Sequence, residues 1–152
     1  MNDDVPSTVG TIKIKSILGS GGNAVVCAGQ HAIDDSSVAV KILKPNASGS
    51  EEEIYEDFFY EIQAAASLNH PRITSIYDHG RIGTQEVSEK SKYLNMPWLS
   101  MELVQGCTLA DLIGRLSWDE IKGILLDVLS ALGHAHARRL IHRDIKPRNI
   151  LY

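Results

Sequence analysis

The sequence predicts an α+β chain in two parts: an antiparallel sheet with one main helix over residues 1–104, then helices over residues 105–152. Three observations carry this. Three short segments before residue 44 are rich in alternating or β-branched apolar residues and are joined by brief turn clusters, which favours antiparallel pairing. One helix-like segment, near residues 50–68, interrupts the strands. Beyond Gln105-Gly106 the strand pattern stops, and apolar residues at 121, 124, 125, 128, 132 and 135 recur at helical spacing.

The elements follow in order. Residues 11–18 alternate and read as a half-buried strand; Gly19-Ser20-Gly21-Gly22-Asn23 is a turn cluster, and Val25 and Val26 resume strand character over 24–28. Residues 34–37 form a hairpin turn, and 38–43 a third strand ended by Lys44-Pro45. Ser50 with Glu53 makes a capping box, and Glu51 and Glu52 suit the positive end of a helix, which runs to about Leu68 and stops at Asn69-His70-Pro71. A strand is expected near Ser75-Ile76-Tyr77, a polar insert over 83–97, and another strand over 98–104. Residues 109–116 read as a short helix. Ser117 with Glu120 gives a second capping box, opening a helix over 118–139 with Arg138 and Arg139 at its negative end.

Composition narrows the function classes. With 152 residues, 43% hydrophobic and 22% charged, the chain is globular rather than disordered. A net charge of −4 argues against a general nucleic-acid binder, which needs clustered Lys and Arg. No apolar run approaches a membrane span, and residues 1–10 lack the pattern of a signal peptide. Two cysteines, Cys27 and Cys107, cannot staple a small secreted fold; buried free thiols and a cytoplasmic location are expected.

The densest chemistry lies at His142-Arg143-Asp144-Ile145-Lys146-Pro147-Arg148-Asn149. A carboxylate, an ammonium and a carboxamide fall within six positions, between apolar Leu140, Ile141, Ile150 and Leu151. That suggests a site rather than a solvated loop. Lys41 sits in an apolar strand. Either the strand is an edge and the side chain reaches water, or the buried ammonium needs an anion. Glu61 shares a helix stripe with Ile54, Phe58, Ala65 and Leu68, so it is either solvated at the stripe edge or the partner Lys41 needs. The glycine turn stands between two strands, which suits a flap whose backbone N–H groups cover phosphates, or an ordinary hairpin. It opens no helix, so it is not a dinucleotide-binding turn, and no Lys-Ser or Lys-Thr follows it, so it is not a Walker loop. His134 and His136 point to different sides of a helix and make no metal pair.

The octet resembles the catalytic loop of eukaryotic-type protein kinases, H-R-D-x-K-x-x-N. The glycine flap, Val38-Ala39-Val40-Lys41, the helix glutamate Glu61 and Met101-Glu102-Leu103-Val104 precede it in kinase order. The resemblance covers nearly the whole chain. It implies a protein-kinase-like fold: a small lobe over 1–104, then the start of a large lobe over 105–152, up to the catalytic loop. It also implies ATP, magnesium and a protein substrate carrying Ser or Thr.

By the same resemblance, Lys41, steadied by Glu61, holds the α- and β-phosphates, and the backbone from Gly19 through Ser20, Gly21, Gly22 and Asn23 to Ala24 covers them. Leu18, Val26, Ala39 and Leu151 line the adenine pocket. Glu102 and Val104 bond the adenine edge, and Met101 guards the back pocket. Asp144 orients the substrate hydroxyl and accepts its proton, Lys146 neutralises the transferring phosphoryl group, and Asn149 holds a magnesium ion. His142 is structural. Arg143 resembles that of kinases whose activation loop is ordered by phosphorylation. Lys146 points to the serine/threonine class, and the Pro71-Arg72-Ile73 and Tyr77-Asp78-His79-Gly80 stretches resemble bacterial members.

Ala24 replaces the third glycine of the flap, Asn23 stands at its tip, and the sequence contains no Asp-Phe-Gly, whose Asp is the principal magnesium ligand. The isolated chain is therefore expected to be inactive, with the apolar face of the 118–139 helix exposed as a partner or aggregation surface. The alternative is a catalytically dead, pseudokinase-like module that binds nucleotide or protein.

Overall fold

The computed structural model describes residues 5–45 and 50–152, apart from the side chains of Glu51 and Glu61. It divides into two compact units. One comprises the chain up to Ala66 together with Ser75–Leu103; the other comprises Ser67–Thr74 together with Val104–Tyr152.

The first unit is built on strands β1 (Thr8–Val9), β2 (Ile12–Ser20), β3 (Ala24–His31), β4 (Ser37–Leu43), β5 (Ile76–Arg81) and β6 (Pro97–Glu102). They pair antiparallel throughout, in the order β1-β2-β3-β4-β6-β5. The period of two sends Val25, Cys27, Val38, Val40 and Ile42 to one face, where they join Trp98 in the larger core cluster. Leu43, Leu99 and Met101 face the other way, against Phe58 and Ile62 of helix α1 (Glu51–Ala66). With both faces covered, the first four residues of β6 are all buried, and β4 reads as a nearly unbroken apolar run.

Helix α1 starts as its capping box requires. The Ser50 N–H donates to Glu53 Oε2 at 2.8 Å, and the Glu53 N–H donates back to Ser50 Oγ at 3.2 Å. Arg81 of β5 holds the same end. Its guanidinium donates to both Glu52 oxygens at 3.0 and 2.8 Å and lies 3.7 Å from the centre of the Tyr55 ring. One turn on, Phe59 meets His79 edge-on at 5.2 Å.

Two features of this unit differ from the sequence expectation. Strand β1, only two residues long, has no period to read. The polar insert over 83–97 is also a core element: Tyr93 and Met96 are 3% and 1% exposed and pack on the outer face of the sheet. Ile82 and Met96 close its base, the Ile82 N–H donating to Met96 O at 3.0 Å. The Glu86 carboxylate ties the segment down, accepting from the Gly83 N–H at 2.8 Å and the Gly10 N–H at 3.2 Å. Its few apolar residues follow neither helix nor strand period, so composition alone marked it as solvated.

The second unit carries helix α2 (Trp118–His136), again with a complete capping box: the Ser117 N–H donates to Glu120 Oε2 at 2.7 Å and the Glu120 N–H to Ser117 Oγ at 3.4 Å. The 109–116 helix is shorter than expected, a single 3₁₀ turn over Leu109–Leu112, opened by a third box in which Thr108 Oγ1 donates to Asp111 Oδ2 at 2.6 Å. Ile113 leaves the helical region at ψ 127°, and Gly114 follows at φ +76°. The segment from Ser67 to Thr74 packs on α2: Arg72 pairs with Asp127 at 3.1 Å, His70 Nε2 meets Ser130 Oγ at 3.1 Å, and the His70 and His134 rings lie 5.2 Å apart. Leu125, Leu126 and Leu129 of α2 are exposed. Among the described residues no helix is long and apolar enough to cross a membrane.

The three caps make the helix starts acid-sensitive. Hydrogen bonds from Ser50, Thr108 and Ser117 hold the carboxyls of Glu53, Asp111 and Glu120 below their ordinary range. A depressed folded value means the stabilisation is present above the unfolded value and lost as pH falls through the folded one. Far-ultraviolet circular dichroism should therefore lose helix signal on acidification below the ordinary carboxylate range. Glu120→Gln should shrink that acid-sensitive part. A signal flat through the window would contradict the assignment.

Candidate functional site

In the first unit, cross-strand register sets the site residues in rows. Gly19 of β2 stands opposite Val26 of β3, Val26 opposite Lys41 of β4, and Lys41 opposite Leu99 of β6. A second row runs Ala28, Ala39, Met101, Ile76. Directly paired residues share a face, so Val26, Ala39, Lys41 and Met101 all lie on the face opposite the outer core. Lys41 is not at an edge: β4 is bonded on both sides, by β3 and β6, and the side chain is half-buried. The edge-strand alternative fails, because β4 is a central strand of the sheet. The expected Lys41–Glu61 pair lies outside the described residues, because the Glu61 side chain is among those left out.

Ala39 is 5% exposed, Leu18 is exposed, and Val26 is half-buried. Met101 packs against the Phe58, Ile62 and Leu99 cluster. Glu102 closes β6, its N–H donating to Ser75 O at 2.9 Å. The flap is a tight turn in which the Gly21 N–H donates to Ala24 O at 2.9 Å; Gly19 and Ser20 belong to β2, and only Gly21-Gly22-Asn23 lie outside the strands.

The second unit holds Val104 and the segment over 142–149. Lys146 Nζ lies 2.8 Å from Asp144 Oδ2, and Asn149 Nδ2 donates to the same oxygen at 2.9 Å and to the Asp144 carbonyl at 2.8 Å. Lys146, then Asn149, hold the Asp144 carboxyl below the usual carboxylate range, so it is ionised at neutral pH. The chain reaches this arrangement through a left-handed turn: Arg143 has φ +61°, a conformation costing a non-glycine residue roughly 1–2 kcal/mol. The Asp144 N–H donates to His142 Nδ1 at 3.2 Å, giving that ring a structural task. A 3₁₀ turn over Pro147–Asn149 follows, and Leu151 bridges to Thr108. Cys107 and Tyr152 exchange backbone bonds at 3.1 and 2.9 Å. A Cβ on Gly106 (φ +151°) would run into the Tyr152 carbonyl, which explains glycine there.

His134 Nδ1 meets Arg138 at 3.2 Å, and among the described residues no three His, Cys, Asp or Glu side chains are grouped to hold a metal ion. The Asn149 amide oxygen is a hard donor of the kind magnesium takes, and magnesium fills most of its shell with water and phosphate oxygens. Lys44 was not picked out by sequence: its ammonium donates to Ser20 Oγ at 2.8 Å and to Gly21 O at 2.6 Å. Its only sequence signal is its place beside Pro45 at the end of an apolar strand, which any solvated lysine could share.

Known proteins resemble this chain in sequence and fold. The protein kinase domain family matches residues 12–152. The chain is 39% identical over 145 residues to the serine/threonine-protein kinase PrkC of Bacillus subtilis, covering 93% of this chain and 20% of that protein. It is 34% identical over 156 residues to the probable serine/threonine-protein kinase PknB of Bifidobacterium longum, covering 99% and 22%. Among solved structures, the Mycobacterium tuberculosis PknI kinase domain aligns with a TM-score of 0.74 and 28% identity, over 99% of this chain and 57% of that one. The chain thus spans about a fifth of the length of the curated relatives it matches. It belongs to the protein kinase domain family, with bacterial serine/threonine kinases among its relatives.

Proposed function

We propose that this chain forms the nucleotide-binding and catalytic-loop part of a serine/threonine protein kinase, which transfers the γ-phosphate of ATP to Ser or Thr hydroxyls of proteins. The observation that carries this reading is the Asp144, Lys146 and Asn149 cluster: one ionised carboxylate held by an ammonium and a carboxamide on a strained turn.

Each side chain then has a task. Asp144 accepts the proton of the attacking hydroxyl and fixes its direction. Lys146, 2.8 Å from that carboxylate, brings positive charge to where the transferring group gains negative charge. Asn149 uses its amide nitrogen to brace Asp144, which leaves its amide oxygen to serve as a metal ligand. Magnesium, held there with phosphate oxygens, would neutralise phosphate charge. Lys41 holds the α- and β-phosphates, paired to Glu61. The turn from Gly19 to Ala24 covers the phosphates. Leu18, Val26 and Ala39 line the adenine pocket, with Glu102 at its edge and Met101 behind it.

A cytoplasmic location is supported by the need for ATP and by the two free thiols, Cys27 and Cys107. The exposed leucines of α2 support a protein contact on that face.

The test is phosphoryl transfer by the native protein that carries this chain. With Mg·ATP and a mixed protein substrate, label is expected on serine and threonine after acid hydrolysis. Label confined to tyrosine would refute the substrate class. ATP binding with no transfer to any protein would favour the pseudokinase alternative.

A further inference from the structure

The glycine turn has little of its own to hold it. A side chain added at Gly19 or Gly22 would meet nothing within 4 Å, so no packing constrains those positions. Two adjacent glycines also lose the most conformational freedom on ordering. Yet a cover for phosphates must present its N–H groups and turn its carbonyls aside, because carbonyl oxygens facing an anion repel it.

One residue meets both needs. The Lys44 ammonium donates to Ser20 Oγ at 2.8 Å and to the Gly21 carbonyl at 2.6 Å, and the Lys44 N–H donates to the Asn23 carbonyl at 2.9 Å. Two of the three turn carbonyls, those of Gly21 and Asn23, are thereby engaged. Among the described residues, the N–H groups of Gly22 and Asn23 have no hydrogen-bond partner.

The face is also right. Ser20 pairs with Val25, and Ile42 lies two residues before Lys44, so Ser20, Ile42 and Lys44 belong to the outer-core side of the sheet. A cavity of about 380 Å³ on that side has Ile17, Ser20, Val25 and Lys44 in its wall. Lys41, an odd number of residues away, lies on the opposite face. One strand thus carries two lysines with different tasks.

We infer that Lys44 is a positioning residue: it grips the glycine turn from behind, engages the Gly21 and Asn23 carbonyls, and leaves the Gly22 and Asn23 N–H groups for the phosphates of ATP. This rests on the nucleotide reading above and extends it to the control of the turn.

The test uses the native protein that carries this chain, with Lys44→Met and Lys44→Arg. Affinities for Mg·ATP and for adenosine are measured by calorimetry, and exchange of the turn amides is followed without nucleotide. Losing charge-assisted bonds should weaken Mg·ATP binding by about tenfold. Adenosine, lacking phosphates, should bind within about twofold of the original protein. Lys44→Arg should restore most of the loss, and Lys44→Met should speed exchange at Gly22 and Asn23. That last change separates positioning from simple attraction between a cation and an anion, which leaves empty-turn exchange unaltered.

Unchanged Mg·ATP affinity in Lys44→Met overturns the inference, as does an equal loss of adenosine. Failure of the unsubstituted protein to bind Mg·ATP overturns the nucleotide reading itself, and the role of Lys44 falls with it.

Discussion

Asp144→Asn in the native protein is expected to lower phosphoryl transfer by about two to four orders of magnitude, the usual worth of a general base, with ATP affinity nearly unchanged. The substitution keeps the shape and leaves the Asn149 bond to the backbone carbonyl of residue 144, at 2.8 Å, in place. It removes the negative charge that Lys146 and Asn149 both address. An amide cannot take the hydroxyl proton, so the loss should appear in kcat rather than in the KM for ATP. Single-turnover transfer, with thermal unfolding run alongside, would measure this. Retained transfer would refute the assignment of Asp144. Lys41→Met should instead raise the KM for ATP as well, because it removes a contact to bound phosphate.

Trp98→Ala is expected to destabilise the first unit by about 3–5 kcal/mol, a large share of the ~5–15 kcal/mol that holds a typical domain. Trp98 is 4% exposed in the larger core cluster. Two glycines shape its slot: a Cβ at Gly10 would come within 2.9 Å of the indole, and one at Gly80 within 3.1 Å. Having no side chains, they cannot fill the cavity left by alanine. Trp98→Phe should cost less. The indole Nε1 is buried without a hydrogen-bond partner among the described residues, so phenylalanine forfeits volume but no bond. Urea unfolding of the three chains would rank them. A Trp98→Ala midpoint equal to the original would mean that this core is not what stabilises the unit.

Some of this was local, and so was written in the sequence. The strands read over 11–18 and 38–43 rest on local pattern alone, and the structure has strands at Ile12–Ser20 and Ser37–Leu43. The Ser50–Glu53 and Ser117–Glu120 caps need only a three-residue reach. The Asp144, Lys146 and Asn149 contacts all close within six residues, so the density of polar groups there marked a site, while their roles came from the kinase resemblance.

Tertiary structure decided the rest. The central place of Lys41 follows from β6 pairing with β4 across some sixty residues of intervening chain, a long-range pairing that local alternation does not reveal. The grip of Lys44 on residues 20 and 21, the clasp of Arg81 on Glu52 and Tyr55, and the docking of Arg72 on Asp127 join residues far apart in sequence. Such pairs leave no periodic trace, because each depends on where two distant backbones meet. The insert beyond Ile82 shows the same limit. Tyr93 and Met96 are buried because a sheet face lay open for them to cover, and only the assembled sheet has a face.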